Sequence, residues 1–311
     1  MKILITGGLG FIGHHLSQHL FNSGHTITIV DNFTDYDVHD SHETVKLFNE
    51  RRQVLPNIEI FQYDINQYST ISLLLKEQFD VVIHLASFPR QKTVEKNLFL
   101  AAKTMIEGTV KLLQACTHNT RRFIFVSSSM VYGDFSFSVN EDHKCSPKGQ
   151  YGILKLAGEN LVRDWSKNTN IPHTIIRPSA VYGSRDISDR IVPKFLNSAN
   201  NNKTLFVNGE DERIDFTHVD DLVSGIRLAV ENTEAENQTF NMTRGNSRKI
   251  YEAAQVAIDV CGGGKIMVRH PNDRYPSRGT LDISKAKSLI GYDPSIDIES
   301  GFKKTYGFHQ Q

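Results

Sequence analysis

The chain begins with an apolar strand that runs directly into a glycine turn: Lys2-Ile3-Leu4-Ile5-Thr6-Gly7-Gly8-Leu9-Gly10-Phe11-Ile12-Gly13. Ile3, Leu4 and Ile5 make the short, unbroken apolar run of a strand buried on both faces, as parallel sheets require. Residues 14–21 then carry a helical period, with Leu16 and Leu20 on one face. Gly7, Gly10 and Gly13 allow a tight turn, close approach of backbone to a pyrophosphate, and close packing of helix on strand. The helix N-terminus adds free N–H groups and partial positive charge. Together these predict a dinucleotide site at Gly7, Gly10, Phe11, Ile12 and Gly13.

A second strand, residues 26–30, leads into Asp31, 18 residues past Gly13. A carboxylate at that spacing accepts hydrogen bonds from the adenosine ribose and repels a 2′-phosphate. No basic residue occurs between positions 32 and 38. NAD(H) is therefore expected over NADP(H), with no cation beside Asp31.

The alternation continues. Residues 58–62 read as a third strand ahead of Asp64-Ile65, 67–77 as a helix, 80–86 as a fourth strand, 98–118 as a long helix and 122–126 as a fifth strand. The polar stretch 32–52 carries a helix candidate after Ser41, and the triple glycine 262–264 reads as a turn. Such a series predicts the α/β class: a Rossmann-type doubly wound parallel sheet, with ligands beyond the carboxyl ends of its strands.

With 35 basic and 35 acidic residues the net charge is +0, so no electrostatic footprint for nucleic acid or membrane is present. No apolar run reaches the length of a membrane span, and the first residues read as a core strand rather than a signal peptide. A cytoplasmic protein is expected. The 3 cysteines are scattered and odd in number and the 13 histidines show no ligand spacing, so neither a disulfide framework nor a metal site is expected.

The chemistry falls just past the fifth strand, in Ser127-Ser128-Ser129-Met130-Val131-Tyr132-Gly133 and Tyr151-Gly152-Ile153-Leu154-Lys155. Tyr151 and Lys155, four apart, share a helix face. A lysine beside a phenol favours the phenolate and lowers its pKa from about 10, giving a base or acid for neutral pH. A serine hydroxyl nearby can hold the same substrate oxygen. The logic is alcohol oxidation: Tyr151 takes the hydroxyl proton while the carbon gives its hydride to NAD.

Nearly the whole chain resembles the extended short-chain dehydrogenase/reductases, in the branch of NAD-dependent nucleotide-sugar epimerases and dehydratases of the UDP-glucose 4-epimerase type. The matching pieces are Thr6-Gly7-Gly8-x-Gly10-x-x-Gly13, His84-Leu85-Ala86, Gly108-Thr109 with Leu112-Leu113, and Ser127 to Gly133. Further on come Tyr151-Gly152-x-x-Lys155 with Gly158-Glu159, Arg177-Pro178-x-x-Val181-Tyr182-Gly183, Asp215-Phe216-x-x-Val219-Asp220-Asp221, Phe240-Asn241 and Asp282-Ile283-Ser284-Lys285-Ala286. The resemblance implies that Ser128 is the catalytic hydroxyl beside Tyr151 and Lys155, and that Lys155 also holds the nicotinamide ribose. It places Asp64 and Ile65 at adenine and adds Asn32, Leu85, Ala86, Ser87 and Pro178 to the cofactor contacts. Residues 1–178 plus 215–245 would form the NAD-binding domain, and 179–214 plus 246–311 a smaller α/β domain for the sugar nucleotide. A homodimer is expected.

Departures from the family narrow the chemistry. 4,6-Dehydratases and decarboxylating relatives carry a glutamate two residues before the tyrosine of V-Y-G, where this chain has Met130. Met130 cannot move a proton at carbon 5. Epimerisation at C4 through a transient 4-keto sugar remains, as does a net dehydrogenase that releases the keto sugar. A non-catalytic NAD sensor is the reading of another class, disfavoured by the intact Ser128, Tyr151 and Lys155. The substrate is expected to be a nucleoside-diphosphate sugar, with UDP, GDP, CDP and dTDP all open.

Met105 and Ala180 stand where many relatives have asparagine, and Asn208-Gly209 lacks the aromatic residue that stacks on the base. Ser128 and Ser129 are assigned to the sugar, and Arg213 and Arg278 to the diphosphate. Arg90 and Lys92 face either the sugar or solvent. Gly279 is expected to leave room beside carbon 2 of the sugar for an N-acetyl or otherwise larger group.

Overall fold

A computed structural model describes residues 1–34, 41–116, 120–271 and 276–309. Among these, seven strands form one parallel sheet. In chain order its first six are β1 (Lys2–Thr6), β2 (Thr26–Asp31), β3 (Glu59–Gln62), β4 (Val81–His84), β5 (Arg122–Val126) and β6 (His173–Arg177). The seventh is Gln238–Asn241. The spatial order is Gln238–Asn241, β6, β5, β4, β1, β2, β3, so the chain changes direction across the sheet between β1 and β4. Open α/β sheets bind ligands at that crevice. Ile3, Leu4, Ile5, Val82 and Ile83 have no exposed surface, as strands covered on both faces require.

The first five strands match the sequence pattern, and β4 is shorter than its expected 80–86. β6 and the seventh strand are additional. Only Ile175 and Ile176 of His173–Arg177 and only Phe240 of Gln238–Asn241 are apolar, so neither carries an apolar run long enough to read.

The expected 98–118 helix is not continuous. Leu98–Ala102 and Gly108–Ala115 are α-helical, and Lys103–Glu107 between them is a π-helical turn. Such a turn is an insertion in the i→i−4 ladder. Here the Thr109 hydroxyl donates to Met105 O at 2.7 Å, while His84 Nε2 lies 3.0 Å from the same hydroxyl. Residues 117–119 lie outside the described residues.

A second apolar core gathers Val192, Phe195, Leu196, Leu205, Val207, Phe216, Ala253, Ala254, Ala257, Ile298 and Phe302. The two cores depart from the expected domain division at Val181, which packs with the large sheet, and in two further places. Phe216 belongs to this second core, while Ala286, Ile290 and Tyr292 pack into the core of the large sheet. The helix Ser284–Ile290 abuts the seventh strand, which explains why its apolar face is buried there. Gly262, at φ +79, ends the Ile250–Cys261 helix in the left-handed conformation, so the triple glycine is a turn as expected.

Candidate active site

The glycine turn is built by contacts that exclude side chains. A Cβ on Gly13 would stand 2.2 Å from Gly7 O, and one on Gly7, at φ +71, 2.7 Å from Ala86 N. The helix α1 (Phe11–Asn22) therefore starts hard against β1, with no side-chain cap on its first N–H groups. That end is a cradle for an anion.

A cleft opens over it. Its walls include Gly7, Gly10, Phe11, Ile12, Gly13, Asp31, Asn32, Ile65, Leu85, Ala86 and Ser87, eleven of the residues read as cofactor contacts. Backbone cradle, uncapped helix end and acidic strand end together fit a dinucleotide. Asp31 is 9% exposed and first of all a backbone anchor: its carboxylate accepts from Leu9 N and Phe33 N, both at 2.9 Å. Burial pushes its pKa up, against these hydrogen bonds and Arg51. Asp64 is not on the cleft wall. Its carboxylate accepts from Asn32 Nδ2 and Asn66 N, each at 2.8 Å, so it positions Asn32 while Ile65 meets the cleft. Pro178 also stands behind the wall, its carbonyl accepting from Ser129 N at 2.9 Å.

The expectation that no cation stands near Asp31 is corrected. Helix α2 (Ser41–Gln53) carries Arg51 into the same cleft, 7% exposed. Its guanidinium donates to Leu9 O at 3.2 Å and to Arg185 O at 2.7 Å, and its charge reaches Asp31. With those donors committed to carbonyls and Asp31 still in place, the cleft keeps its bias against a 2′-phosphate.

Past the end of β5, Ser127 N donates to Ile176 O at 2.7 Å. Ser128 then caps a short turn, its Oγ accepting from Met130 N at 3.2 Å. The helix Gln150–Thr169 supplies Tyr151 and Lys155. It comes close because Gly152 has no side chain; a Cβ there would lie 2.6 Å from Met130 O. Ser128 acts on the Tyr151 phenol and favours its charged form, so the two expected catalytic hydroxyls are neighbours. The Tyr151 phenol also meets the backbone of Arg90 and the charge of Arg190, two residues of the cleft wall.

The expected lysine–phenol effect is not found. Lys155 Nζ donates to Val126 O at 2.8 Å and sits 5.2 Å from the Phe125 ring centroid. Burial pushes the Tyr151 phenol up, opposed by Arg190 and Ser128, and Lys155 is not among the groups acting on it. Lys155 is itself held at about 7 by burial, with Glu159 opposing.

A buried polar network fixes this corner. The Glu159 carboxylate accepts from Ser127 Oγ at 2.6 Å and from Arg177 Nε and Nη2 at 2.9 and 2.7 Å. Arg177 Nη1 reaches the Tyr132 hydroxyl at 2.9 Å, which donates to Asn241 Oδ1 at 2.7 Å. These bonds tie the catalytic turn to β6, the seventh strand and the Gln150–Thr169 helix.

Ser129 is 1% exposed, between the turn and Pro178. Arg213, on the short strand Arg213–Ile214, donates to Ser247 Oγ and O at 3.2 and 2.8 Å. Ser247 Oγ lies 2.9 Å from Thr280 Oγ1, two residues past Arg278, so both proposed diphosphate arginines belong to one corner. Asn208 ends the strand Thr204–Asn208, where Arg269 stacks 3.5 Å over Phe206. Arg90 lines the cleft and pairs with Asp189 at 2.6 Å, as does exposed Lys92 at 3.1 Å.

Gly279 is not a gate beside open space. A Cβ there would meet Phe137 O at 2.4 Å and Ser136 C at 3.0 Å. The residues around it pair with the same segment: Phe135 N to Ser277 O at 2.9 Å and Val139 N to Thr280 O at 3.0 Å. The glycine is there for close backbone approach. Residues 272–275 of that loop lie outside the described residues.

Sequence reasoning missed Arg51, Thr104, Asp186, Ile187 and Arg190, all on the cleft wall. Arg51 lies in a stretch without a motif, Thr104 is brought in by the π-helical turn, and residues 186–190 follow the Val181–Tyr182 strand by tertiary packing alone.

Comparison with known proteins agrees with this geometry. Residues 3–243 match the model of the NAD dependent epimerase/dehydratase family. An uncharacterized UDP-glucose epimerase, YtcB of Bacillus subtilis (strain 168), is 31% identical over 309 residues, covering 97% of this chain and 95% of its own. A UDP-N-acetyl-alpha-D-glucosaminuronate decarboxylase of Bacillus cytotoxicus is 28% identical, covering 98% and 96%. The crystal structure of UDP-glucuronic acid 4-epimerase from Bacillus cereus, with UDP-glucuronic acid and NAD, superposes with a TM-score of 0.91 at 30% identity, covering 100% of this chain and 99% of that one. The chain belongs to the NAD-dependent epimerase/dehydratase family of nucleotide-sugar enzymes.

Proposed function

We propose that the protein is an NAD-dependent 4-epimerase of a UDP-linked hexose or hexuronic acid. The observation that carries this reading is the Ser128–Tyr151 hydroxyl pair beyond β5, with Met130, 7% exposed, where elimination or decarboxylation chemistry needs an acid. NAD, when bound, supplies the hydride acceptor and returns the hydride. Tyr151 takes the proton of the sugar's 4-hydroxyl as the C4–H bond breaks, and Ser128 holds the same oxygen. Turning the 4-keto ring in the site and returning hydride to its other face gives the epimer, with Tyr151 giving the proton back. Arg213 and Arg278 would hold the diphosphate. UDP is favoured over the other nucleotides because it is the nucleotide of YtcB and of the Bacillus cereus epimerase.

Homodimeric assembly and a cytoplasmic location belong to the same proposal. Among the described residues no helix is long and apolar enough to cross a membrane. The test is incubation with UDP-hexoses and UDP-hexuronic acids, followed by NMR of the products. A C4 epimer of unchanged composition is expected. A 4-keto-6-deoxy product or a pentose formed with loss of CO2 would overturn the reading.

A further inference from the structure

Within the segment 184–190, Asp186, Ile187 and Arg190 line the cofactor cleft, and the segment is fastened to other elements that build it. Arg51 of α2 donates from Nη2 and Nε to Arg185 O at 2.7 and 3.3 Å, while its Nη1 holds Leu9 O of the glycine turn. Glu43, one turn into α2, accepts from Ser188 N and Oγ at 2.8 and 2.9 Å. Asp189 pairs with Arg90 and Lys92 after β4, and His15 Nε2 of α1 lies 3.0 Å from Ser184 O. Inside these ties, Asp186, Ile187 and Arg190 line the cleft together with Asp31, Phe48 and Ser87.

The segment is thus pinned from α1, α2 and the loop after β4, and its inner side is cleft wall. Arg51 is the central tie because one planar guanidinium bridges the glycine turn and the segment.

We propose that residues 184–190 form a strap over the bound dinucleotide, and that Arg51 and Glu43 are positioning residues that keep it shut between turnovers. The inference rests on the NAD-epimerase reading. An epimerase returns the hydride it takes, so its cofactor has no need to leave, whereas a net dehydrogenase must exchange cofactor at every cycle. A strap fastened at both ends of the cleft suits the first and would slow the second.

The experiment measures NADH release from the holoenzyme by fluorescence after chase with excess NAD, in wild type, Glu43→Ala, Arg51→Met and Arg51→Lys. Melting of each NAD-free chain is recorded in parallel. Release should become about tenfold faster in Arg51→Met and several-fold faster in Glu43→Ala, with Arg51→Lys in between, since affinity differences within one site reside mostly in the off-rate. Glu43→Ala should leave the melting temperature of the NAD-free chain unchanged, which a merely structural effect on α2 would not do. If Arg51→Met fails to fold, Glu43→Ala decides. Release within twofold of wild type in folded variants overturns the strap and leaves the epimerase reading standing. A wild-type chain that binds no NAD(H) overturns that reading, and the strap with it.

Discussion

The Tyr151 phenol is raised by burial rather than lowered by its lysine neighbour, so its charge must be managed by the Arg190 charge and by Ser128. Tyr151→Phe removes only the hydroxyl that moves the proton. It should cost about 10²–10⁴-fold in kcat, with NAD affinity by titration nearly unchanged; retention of most activity would show that another group is the base. Lys155 carries a different signature. Burial brings its amine down to about 7 in the folded chain, from the ordinary lysine value of 10.5. Between these values the unfolded chain binds a proton that the folded chain does not. Stability of the NAD-free chain should therefore rise with pH across that window, by at most about 1.4 kcal/mol per pH unit from this group, and level off below pH 7. Lys155→Met should remove that slope, as chemical denaturation at several pH values will show. The residues Ser128, Tyr151 and Lys155 were legible because the motif fixes their spacing. Their hydrogen bonds were not: Lys155 reaches Val126 O across a helix–strand contact that spacing along one chain does not encode.

At the scale of elements, the glycines divide into those the motif explains and one it misassigned. Gly7 and Gly13 sit where backbone meets backbone under the cofactor cleft, as the fingerprint requires. Gly279 obeys the same physics elsewhere, against Phe137 O, and only the folded partner segment reveals it. Gly279→Ala should accordingly destabilise the chain by about 1–3 kcal/mol through a forced backbone shift, read as a lower melting temperature. An unchanged or higher melting temperature would contradict this. The Glu159–Arg177 pair has 0% and 3% of its side chains exposed, and losing Arg177 removes two charge-assisted hydrogen bonds from a buried carboxylate that, among the described residues, keeps only Arg163, at 2.9 Å, as an ion-pair partner. Arg177→Met should cost about 3 kcal/mol by denaturant titration. Both residues were visible in the sequence as matched motif pieces, yet nothing local said that they face each other. Strand patterns predicted β1, β2, β4 and β5 well because their burial is written in composition, while the edge strand β3, only part-buried, was read from its place in the alternation. The π-helical turn at Lys103–Glu107 escaped, since one extra residue in a helix leaves the apolar pattern nearly intact.

Across the whole molecule, the sheet order places the direction change between β1 and β4, and the site follows from it. The glycine turn lines the cleft, the Ser128–Tyr151 pair lies beyond β5, and residues 186, 187 and 190 add to the cleft wall. Strand–helix alternation was enough to predict this crevice. The division between cores was legible only coarsely, because Phe216 and the Ala286–Tyr292 stretch choose their core by packing. Epimerisation at C4 requires that hydride leave that carbon and return to it within one binding event. The direct measurement uses a UDP-sugar deuterated at C4, turned over by the holoenzyme in ordinary water and analysed by NMR and mass spectrometry. The epimer should keep its deuterium at C4, with no net reduced cofactor accumulating. Loss of the label from the sugar, matched by deuterated NADH and a released 4-keto product, would contradict it.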